Sequence, residues 1–128
     1  MKEYLPLIVA IAITGSGVVT GLLFAFSNFV MRALDDLPTG QGMFAMQRIN
    51  ERIINPIFLI FFMGTLVLCL IIVVVSALEL GASGHAYFLA GAVVYPLGPF
   101  GPFGITILFN VPLNNKLAET ALSQWTEA

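Results

Sequence analysis

Side-chain amides stand in unusually apolar surroundings in this chain, and they are the residues best suited to do chemistry. Asn28 lies near the end of one long apolar run, and Asn110 lies near the end of another. Burying a primary amide without a partner costs about 2–7 kcal/mol, so each amide should face protein, a ligand or water. Amides that meet in a hollow can orient a small molecule and stabilise an oxyanion on it. The predicted polar cluster that forms this pocket consists of Ser27, Asn28, Gln47, Asn50, Asn55, Asn110 and Asn114.

The composition argues against several kinds of site and favours a membrane as the solvent. Hydrophobic residues make up 59% of the 128-residue chain and charged residues 9%, whereas about 25% are charged in an average soluble protein. The net charge of −2 is too small to indicate a nucleic-acid surface. One cysteine and one histidine argue against a metal site or a disulfide within one chain, so we expect no metal and no cofactor.

Three uncharged tracts are long enough to hold the amides at membrane depth. About 20 helical residues cross an apolar bilayer core of about 30 Å. The sequence therefore predicts an all-α, polytopic membrane helical bundle, a single domain over 1–128, with spans at about 5–31, 55–78 and 84–111. Three prolines and three glycines in YPLGPFGPFG, at 95–104, break the third span. This break either lines a cavity or only kinks a span without functional consequence.

An amphipathic helix is predicted at about 42–54, between the first two spans. Helical periodicity places Met43, Met46, Ile49, Asn50, Ile53 and Ile54 on one face, and Arg48, Glu51 and Arg52 on the other, with Phe44 among them. Gln47 falls at the edge of the apolar stripe and Asn50 inside it. A helix that lies in the lipid headgroups would explain the stripe. It would not explain an amide in the middle of the stripe, so we favour a position against protein, ligand or water.

Two local signals predict how helices begin and how they pack. Asn55 precedes Pro56, and this pair is typical of a helix start with asparagine as the N-cap and proline at the first helical position. Gly17 and Gly21 are four residues apart in the first span. That spacing indicates a face that a neighbouring helix can approach closely.

The positive charges predict the orientation in the membrane. The segment between the first two spans carries Arg32, Arg48 and Arg52, and Lys116 follows the third span, whereas the other side has only Lys2. The positive-inside rule places the arginine-bearing loop in the cytoplasm and the N-terminus outside. We expect an integral protein of a bacterial inner (plasma) membrane.

Three stretches, FSNFVM, MQRINERIINPIF and FNVPLNNKLA, resemble in order and spacing the integral membrane family that contains the fungal anthrone oxygenases, over about 21–118. The resemblance implies a four-span helical bundle and oxidation of an anthrone to an anthraquinone with O2 and no known cofactor. The motif positions of that family correspond to Ser27, Asn28, Gln47, Asn50, Asn55, Asn110, Pro112, Asn114 and Asn115. The family continues into a fourth span, whereas this chain stops at SQWTEA. We therefore expect a homo-oligomer, or a partner subunit that supplies the fourth helix.

The chemistry of an anthrone sets what a protein must provide. Loss of a weakly acidic C–H proton gives an electron-rich anion that reacts with O2 directly. The protein has to bind a flat apolar molecule, accept the proton and stabilise the oxyanion. The spans contain no carboxylate, so Asp35, Asp36, Glu51 or water would accept the proton, and the catalytic residue stays open.

A second interpretation is not enzymatic. The amides could instead join helices in a small accessory subunit of a larger membrane complex, at about 0.6–2 kcal/mol for each interhelical bond. A hydrophobic small molecule or a lipid is the expected ligand under the first interpretation, and larger proteins are the expected partners under the second. A transporter is disfavoured because no Asp, Glu, Lys or Arg lies within the spans to couple an ion.

Overall fold

The structure, a computed structural model, describes residues 2–38, 40–78, 84–97 and 101–126, and it is all-α in these ranges. The α-helices are α1 (Leu5–Ala25), α2 (Met31–Asp35), α3 (Gln41–Ile53), α4 (Pro56–Leu78), α5 (His85–Val94), α6 (Pro102–Ile105) and α7 (Val111–Thr126). A short 3-10 helix, Lys2–Tyr4, precedes α1. Two π-helical segments, Phe26–Val30 and Thr106–Asn110, join α1 to α2 and α6 to α7. Two long helices therefore each contain one widened turn.

Two helices in the described ranges are long and apolar enough to cross a membrane. These are the continuous helix Leu5–Asp35, with 31 residues, and α4, with 23 residues. They correspond to the first two predicted spans and support membrane association. The predicted third span is not one long apolar helix, because α5 has only 10 residues and ends at Val94. Helix length alone therefore does not confirm the expected count of three spans.

The chain is interrupted between α5 and α6, where the sequence predicts a break. Gly101 is buried, and its N–H donates to the carbonyl oxygen of Leu97 over 3.1 Å. A Cβ atom at Gly101 would collide with the carbonyl oxygens of Val94 and Tyr95. Only glycine lets the chain pass this close to the end of α5, and Pro102 then begins α6. Residues 98–100 of this stretch lie outside the described ranges.

The second helical piece after the break is longer than the sequence predicts. We expected it to end near Val111, but α6, the second π-helical segment and α7 continue without interruption to Thr126. Pro112 lies in the first turn of α7. Because the helix continues through this point, proline removes one backbone hydrogen bond and crowds the preceding turn, and the widened turn before Pro112 accommodates this disturbance.

The core lies between α1, α4 and α5 and is made of small and branched side chains. It contains Leu5, Ala12, Cys69, Ile72, Val75, Ala92 and Tyr95. At the middle of the bundle, the ring of Phe62 stacks on those of Phe58 and Phe103, with 5.2 Å between centroids in each pair. The Tyr95 hydroxyl, which is buried, donates to the carbonyl oxygen of Phe62 over 3.0 Å. These contacts attach the segments on both sides of the break to α4.

The close contact between α1 and α4 is at Gly15, not at the predicted Gly17 and Gly21. A Cβ atom at Gly15 would collide with the hydroxyl of Thr65 on α4, a residue that is itself buried. Around Gly17 and Gly21, no neighbouring atom of the described residues lies within 4 Å of the corresponding Cβ position. Glycine spacing identifies a smooth face without showing which neighbour it meets, so close approach of another helix to Gly17 and Gly21 stays a prediction.

Candidate functional site

The helix α3 lies beside the end of the first long helix, where it packs against α2 and α7. It covers Gln41–Ile53, close to the predicted 42–54, and begins after Gly40, whose φ of 83° is one that favours glycine. The side chains of Met43, Met46, Ile49, Asn50 and Ile53 are half-buried, and those of Phe44, Arg48, Glu51 and Arg52 are exposed. The predicted faces are confirmed, except that Ile54 is 69% exposed.

Two charged residues on the exposed face of α3, Arg48 and Glu51, form an ion pair with each other. An Nη1 atom of Arg48 lies 3.0 Å from a carboxylate oxygen of Glu51, and the guanidinium lies 5.2 Å from the centre of the Phe44 ring. The two charged side chains are each 60% exposed, so their contribution to stability is small. The Glu51 carboxylate is therefore paired with Arg48 on the exposed face of α3.

Gln47 joins α3 to α7. Its Nε2 donates to the carbonyl oxygen of Leu117 over 3.3 Å, and the side chain is half-buried. The sequence places Gln47 at the edge of the apolar stripe of α3, and the structure shows why an amide is suitable there. It reaches a polar backbone atom of the next helix without leaving the packed face.

Asn55 caps α4. Its Oδ1 accepts the backbone N–H of Phe58 over 3.0 Å, and its Nδ2 donates to the carbonyl oxygens of Arg52, at 3.1 Å, and Ile53, at 3.3 Å. The capping interpretation is confirmed. The amide therefore closes the turn between α3 and α4 and fixes the angle at which α3 leaves the bundle.

The two π-helical segments carry predicted site residues. Asn28 lies within Phe26–Val30 and is exposed, and Asn110 ends Thr106–Asn110 and is half-buried. Widened turns of this kind occur often at functional sites. Neither π-helical segment was predicted from the sequence. Pro112 is the one signal that could have indicated the second, because a missing N–H disturbs the helical hydrogen-bond ladder on its N-terminal side.

Four aromatic residues, Phe24, Phe26, Phe29 and Phe109, flank Asn28 and Asn110, and of these only Phe26 is half-buried in the single chain. Phe24, Phe29 and Phe109 are 62%, 58% and 52% exposed. Ser27 donates its hydroxyl to the carbonyl oxygen of Phe24 over 3.1 Å, which is a bond within its own helix. These residues therefore face the surroundings of the single chain.

The remaining predicted amides lie on helices that touch. Asn50, one turn from Gln47 on α3, and Asn114 on α7 are both half-buried, and α3 packs against α7. Gln47 thus contacts α7 directly through a hydrogen bond. Asn50 and Asn114 lie on helices that pack against each other. That all seven polar residues share one hollow stays a prediction.

An open cleft of about 450 Å³ lies between α2, α3, the connecting turn and α7. It is lined by Met31, Leu34, Asp35, Leu37, Pro38, Gly40, Gly42, Met43, Met46 and Leu117. Within the described part of the chain, the lining includes none of the seven predicted polar residues. The apolar stripe of α3 predicts its two methionines as inward-facing, but no signal in the sequence showed what they would face.

Two walls of the cleft, α2 and α3, are in close contact with each other. A Cβ atom at Gly42 would collide with the carbonyl oxygen of Leu34, so α3 can approach α2 this closely only through glycine. Asp35 contributes the single carboxylate among the lining residues. The cleft is therefore lined by apolar side chains, by polar backbone and by one acidic residue.

Comparison with known proteins identifies the family. The sequence profile described as "Anthrone oxygenase" matches residues 58–128, more than half of the chain. The matched region includes FNVPLNNKLA, whereas FSNFVM and most of MQRINERIINPIF lie before it. No curated protein and no solved structure matches the chain. The resemblance inferred from the sequence is confirmed, and the chain belongs to the anthrone oxygenase family.

Proposed function

We propose that this protein binds a flat, hydrophobic aromatic molecule of the anthrone class in the cleft and oxidises it with O2 to the anthraquinone, without a resident cofactor. One observation carries the proposal. Each of the three family-like stretches contributes a lining residue: Met31 ends FSNFVM, Met46 begins MQRINERIINPIF, and Leu117 lies in FNVPLNNKLA. Segments far apart in sequence therefore build one cleft.

The size and chemistry of the cleft suit such a ligand. Its volume of about 450 Å³ falls within the range of about 300–1,000 Å³ that is usual for small-molecule sites. Methionine sulfur makes favourable contacts with aromatic rings, and its flexible side chain adapts to a flat ligand. The first turn of α3, at Gly42 and Met43, also lines the cleft. A helix N-terminus favours negative charge and would stabilise the oxyanion that forms on the substrate.

The proposed membrane arrangement places the cleft at the cytoplasmic face of a bacterial inner membrane. Besides the two long apolar helices, α5 and α6 would together make a third crossing that is interrupted at Gly101. The segments α2, α3 and α7 carry Arg32, Arg48, Arg52 and Lys116, and the positive-inside rule assigns that end to the cytoplasm. A hydrophobic substrate could then enter the cleft from the lipid.

The predicted amides have a supporting role in this proposal. Gln47 holds α3 against α7 and so stabilises two walls of the cleft, whereas Asn55 fixes the start of α4, which is not a wall of the cleft. Asn50 and Asn114 would complete the polar contact between α3 and α7. Asn110 would approach the bound molecule from the π-helical segment that directly precedes α7.

The reaction balances without any further reactant. The methylene carbon of the anthrone loses a proton, and the electron pair of that C–H bond stays on the aromatic anion. Transfer of an electron to O2 and recombination form a C–O bond, and the outer peroxide oxygen takes up the proton. Loss of the second C–H proton then breaks the O–O bond. Anthrone and O2 become anthraquinone and water, and the anthrone carbon is oxidised while O2 is reduced.

The test is turnover by the purified protein in lipid nanodiscs. Quinone absorbance and O2 consumption would be followed with a hydroxyanthrone, and empty nanodiscs would correct for spontaneous oxidation. Met46→Trp fills the cleft, and Met63→Trp places the same bulk on a 40%-exposed position of α4 away from it. We expect the first change to abolish most of the catalysed rate and the second to preserve it.

Two results would contradict the proposal. One is a rate for the wild-type protein no higher than that of empty nanodiscs. The other is a catalysed rate that Met46→Trp leaves unchanged. Absence of turnover together with reproducible co-purification of larger membrane proteins would favour the accessory-subunit interpretation instead.

A further inference from the structure

We infer that Asp35 is the catalytic base that removes the first C–H proton from the substrate in the cleft, an inference that rests on the proposed function. The sequence leaves Asp35, Asp36, Glu51 and water open for this role. The structure distinguishes them by position, because a base must come within hydrogen-bond reach of the proton that it takes.

Asp35 is positioned by the end of α2. It is the last residue of that helix and lines the cleft beside Met31 and Leu34, which lie on the same helix. Two backbone bonds close the helix end immediately after it: the N–H of Asp36 donates to the carbonyl oxygen of Arg32 over 3.1 Å, and the N–H of Leu37 donates to that of Leu34 over 3.3 Å. The carboxylate therefore stands on a defined helix end rather than on a free loop.

The other carboxylates at this end of the bundle do not line the cleft. Asp36 follows Asp35 directly but is outside the lining, although it is exposed in the same way. Glu51 is paired with Arg48 on the outer face of α3. Glu119 on α7 is exposed and also lies outside the lining. Among the described carboxylates, Asp35 alone meets the positional requirement.

The surroundings suit proton abstraction from carbon. The other lining side chains are apolar, so a bound aromatic molecule would exclude water from the carboxylate on one side while the exposed side stays open to solvent. The base takes the proton, the substrate keeps the electron pair, and the proton is later passed to the peroxide oxygen. Removal of a general base typically lowers the rate by about 10²–10⁴-fold.

The experiment measures proton removal apart from oxidation. The wild-type protein in nanodiscs is incubated without O2 in D2O with a hydroxyanthrone, and exchange at its methylene carbon is followed by NMR against empty nanodiscs. Asp35→Asn is compared with Asp36→Asn, a matched control one residue away. We expect Asp35→Asn to slow catalysed exchange by about 100-fold or more, Asp36→Asn to change it less than about two-fold, and Asp35→Glu to restore part of the rate.

Binding of the anthraquinone product, followed by ligand fluorescence, shows whether each variant keeps its cleft. Unchanged binding by Asp35→Asn with lost exchange supports the inference. Exchange by Asp35→Asn at the wild-type rate overturns it, as does oxidative turnover by a wild-type protein that does not accelerate exchange. If the wild-type protein neither binds the product nor oxidises the substrate, the proposed function fails first and the inference fails with it.

Discussion

The side chain of Gln47 on α3 donates a hydrogen bond to the carbonyl oxygen of Leu117 on α7 over 3.3 Å. The neighbouring Met46 and Leu117 itself both line the cleft. This bond therefore joins two of its walls, and it connects two of the three family-like stretches across 70 residues of sequence. The amphipathic helix thus packs against α2 and α7 and forms one wall of the cleft.

Replacing Gln47 with alanine should loosen α7 from α3. A hydrogen bond of this kind contributes about 0.5–1.5 kcal/mol, and its loss removes the direct contact of Gln47 with the backbone of α7. We expect faster amide hydrogen exchange in α3 and α7, and little change in α4. Gln41→Ala, at an exposed position of the same helix, is the matched control. Equal amide hydrogen exchange in Gln47→Ala and Gln41→Ala would show that the Gln47 hydrogen bond does not hold α7 against α3.

Replacing Gly15 with alanine should destabilise the contact between α1 and α4. The added methyl group meets the hydroxyl of the buried Thr65, and overpacking of this kind costs about 1–3 kcal/mol. Gly17→Ala, where the corresponding space is open among the described residues, should be neutral or stabilising by up to about 1 kcal/mol, because alanine favours a helix more than glycine does. Reversible unfolding in mixed detergent micelles would measure both. Equal free energies of unfolding for the two variants would show that α1 and α4 do not make their close contact at Gly15.

Replacing Tyr95 with phenylalanine should weaken the join between α5 and α4. The variant loses the 3.0 Å hydrogen bond to the carbonyl oxygen of Phe62 while keeping the ring in the core. Interhelical bonds in membrane proteins contribute about 0.6–2 kcal/mol. Tyr87→Phe removes the same hydroxyl from a position on α5 that is 83% exposed. A thermal midpoint lowered only by Tyr95→Phe is expected, and equal midpoints would argue against the bond.

Features set by local sequence could be predicted. The long apolar helices follow from uncharged tracts, and the faces of α3 follow from helical periodicity. The cap at Asn55 follows from a residue pair with a local mechanism, and its three hydrogen bonds are all to residues within three positions. The break before Pro102 follows from the chemistry of proline and glycine.

Features set by contacts between helices could not be predicted. Gly15 is used in place of Gly17 because the rotation of α1 against α4 depends on the whole interface. The π-helical turn around Asn28 has no proline to indicate it. The cleft combines α2, α3 and α7, whose arrangement is not encoded in any single stretch. The sequence therefore offers several carboxylates near this end of the bundle without showing that Asp35 is the one that lines the cleft.

The most direct test of this account is where the aromatic ligand binds. A diazirine-bearing anthraquinone would be photolysed on the protein in nanodiscs, with and without excess unlabelled anthraquinone, and the labelled residues mapped by mass spectrometry. We predict competed labelling at Met31, Met43, Met46 and Leu117, which line the cleft. Competed labelling that instead falls on exposed apolar positions of the long helices, such as Ile13 and Ile60, would contradict the account.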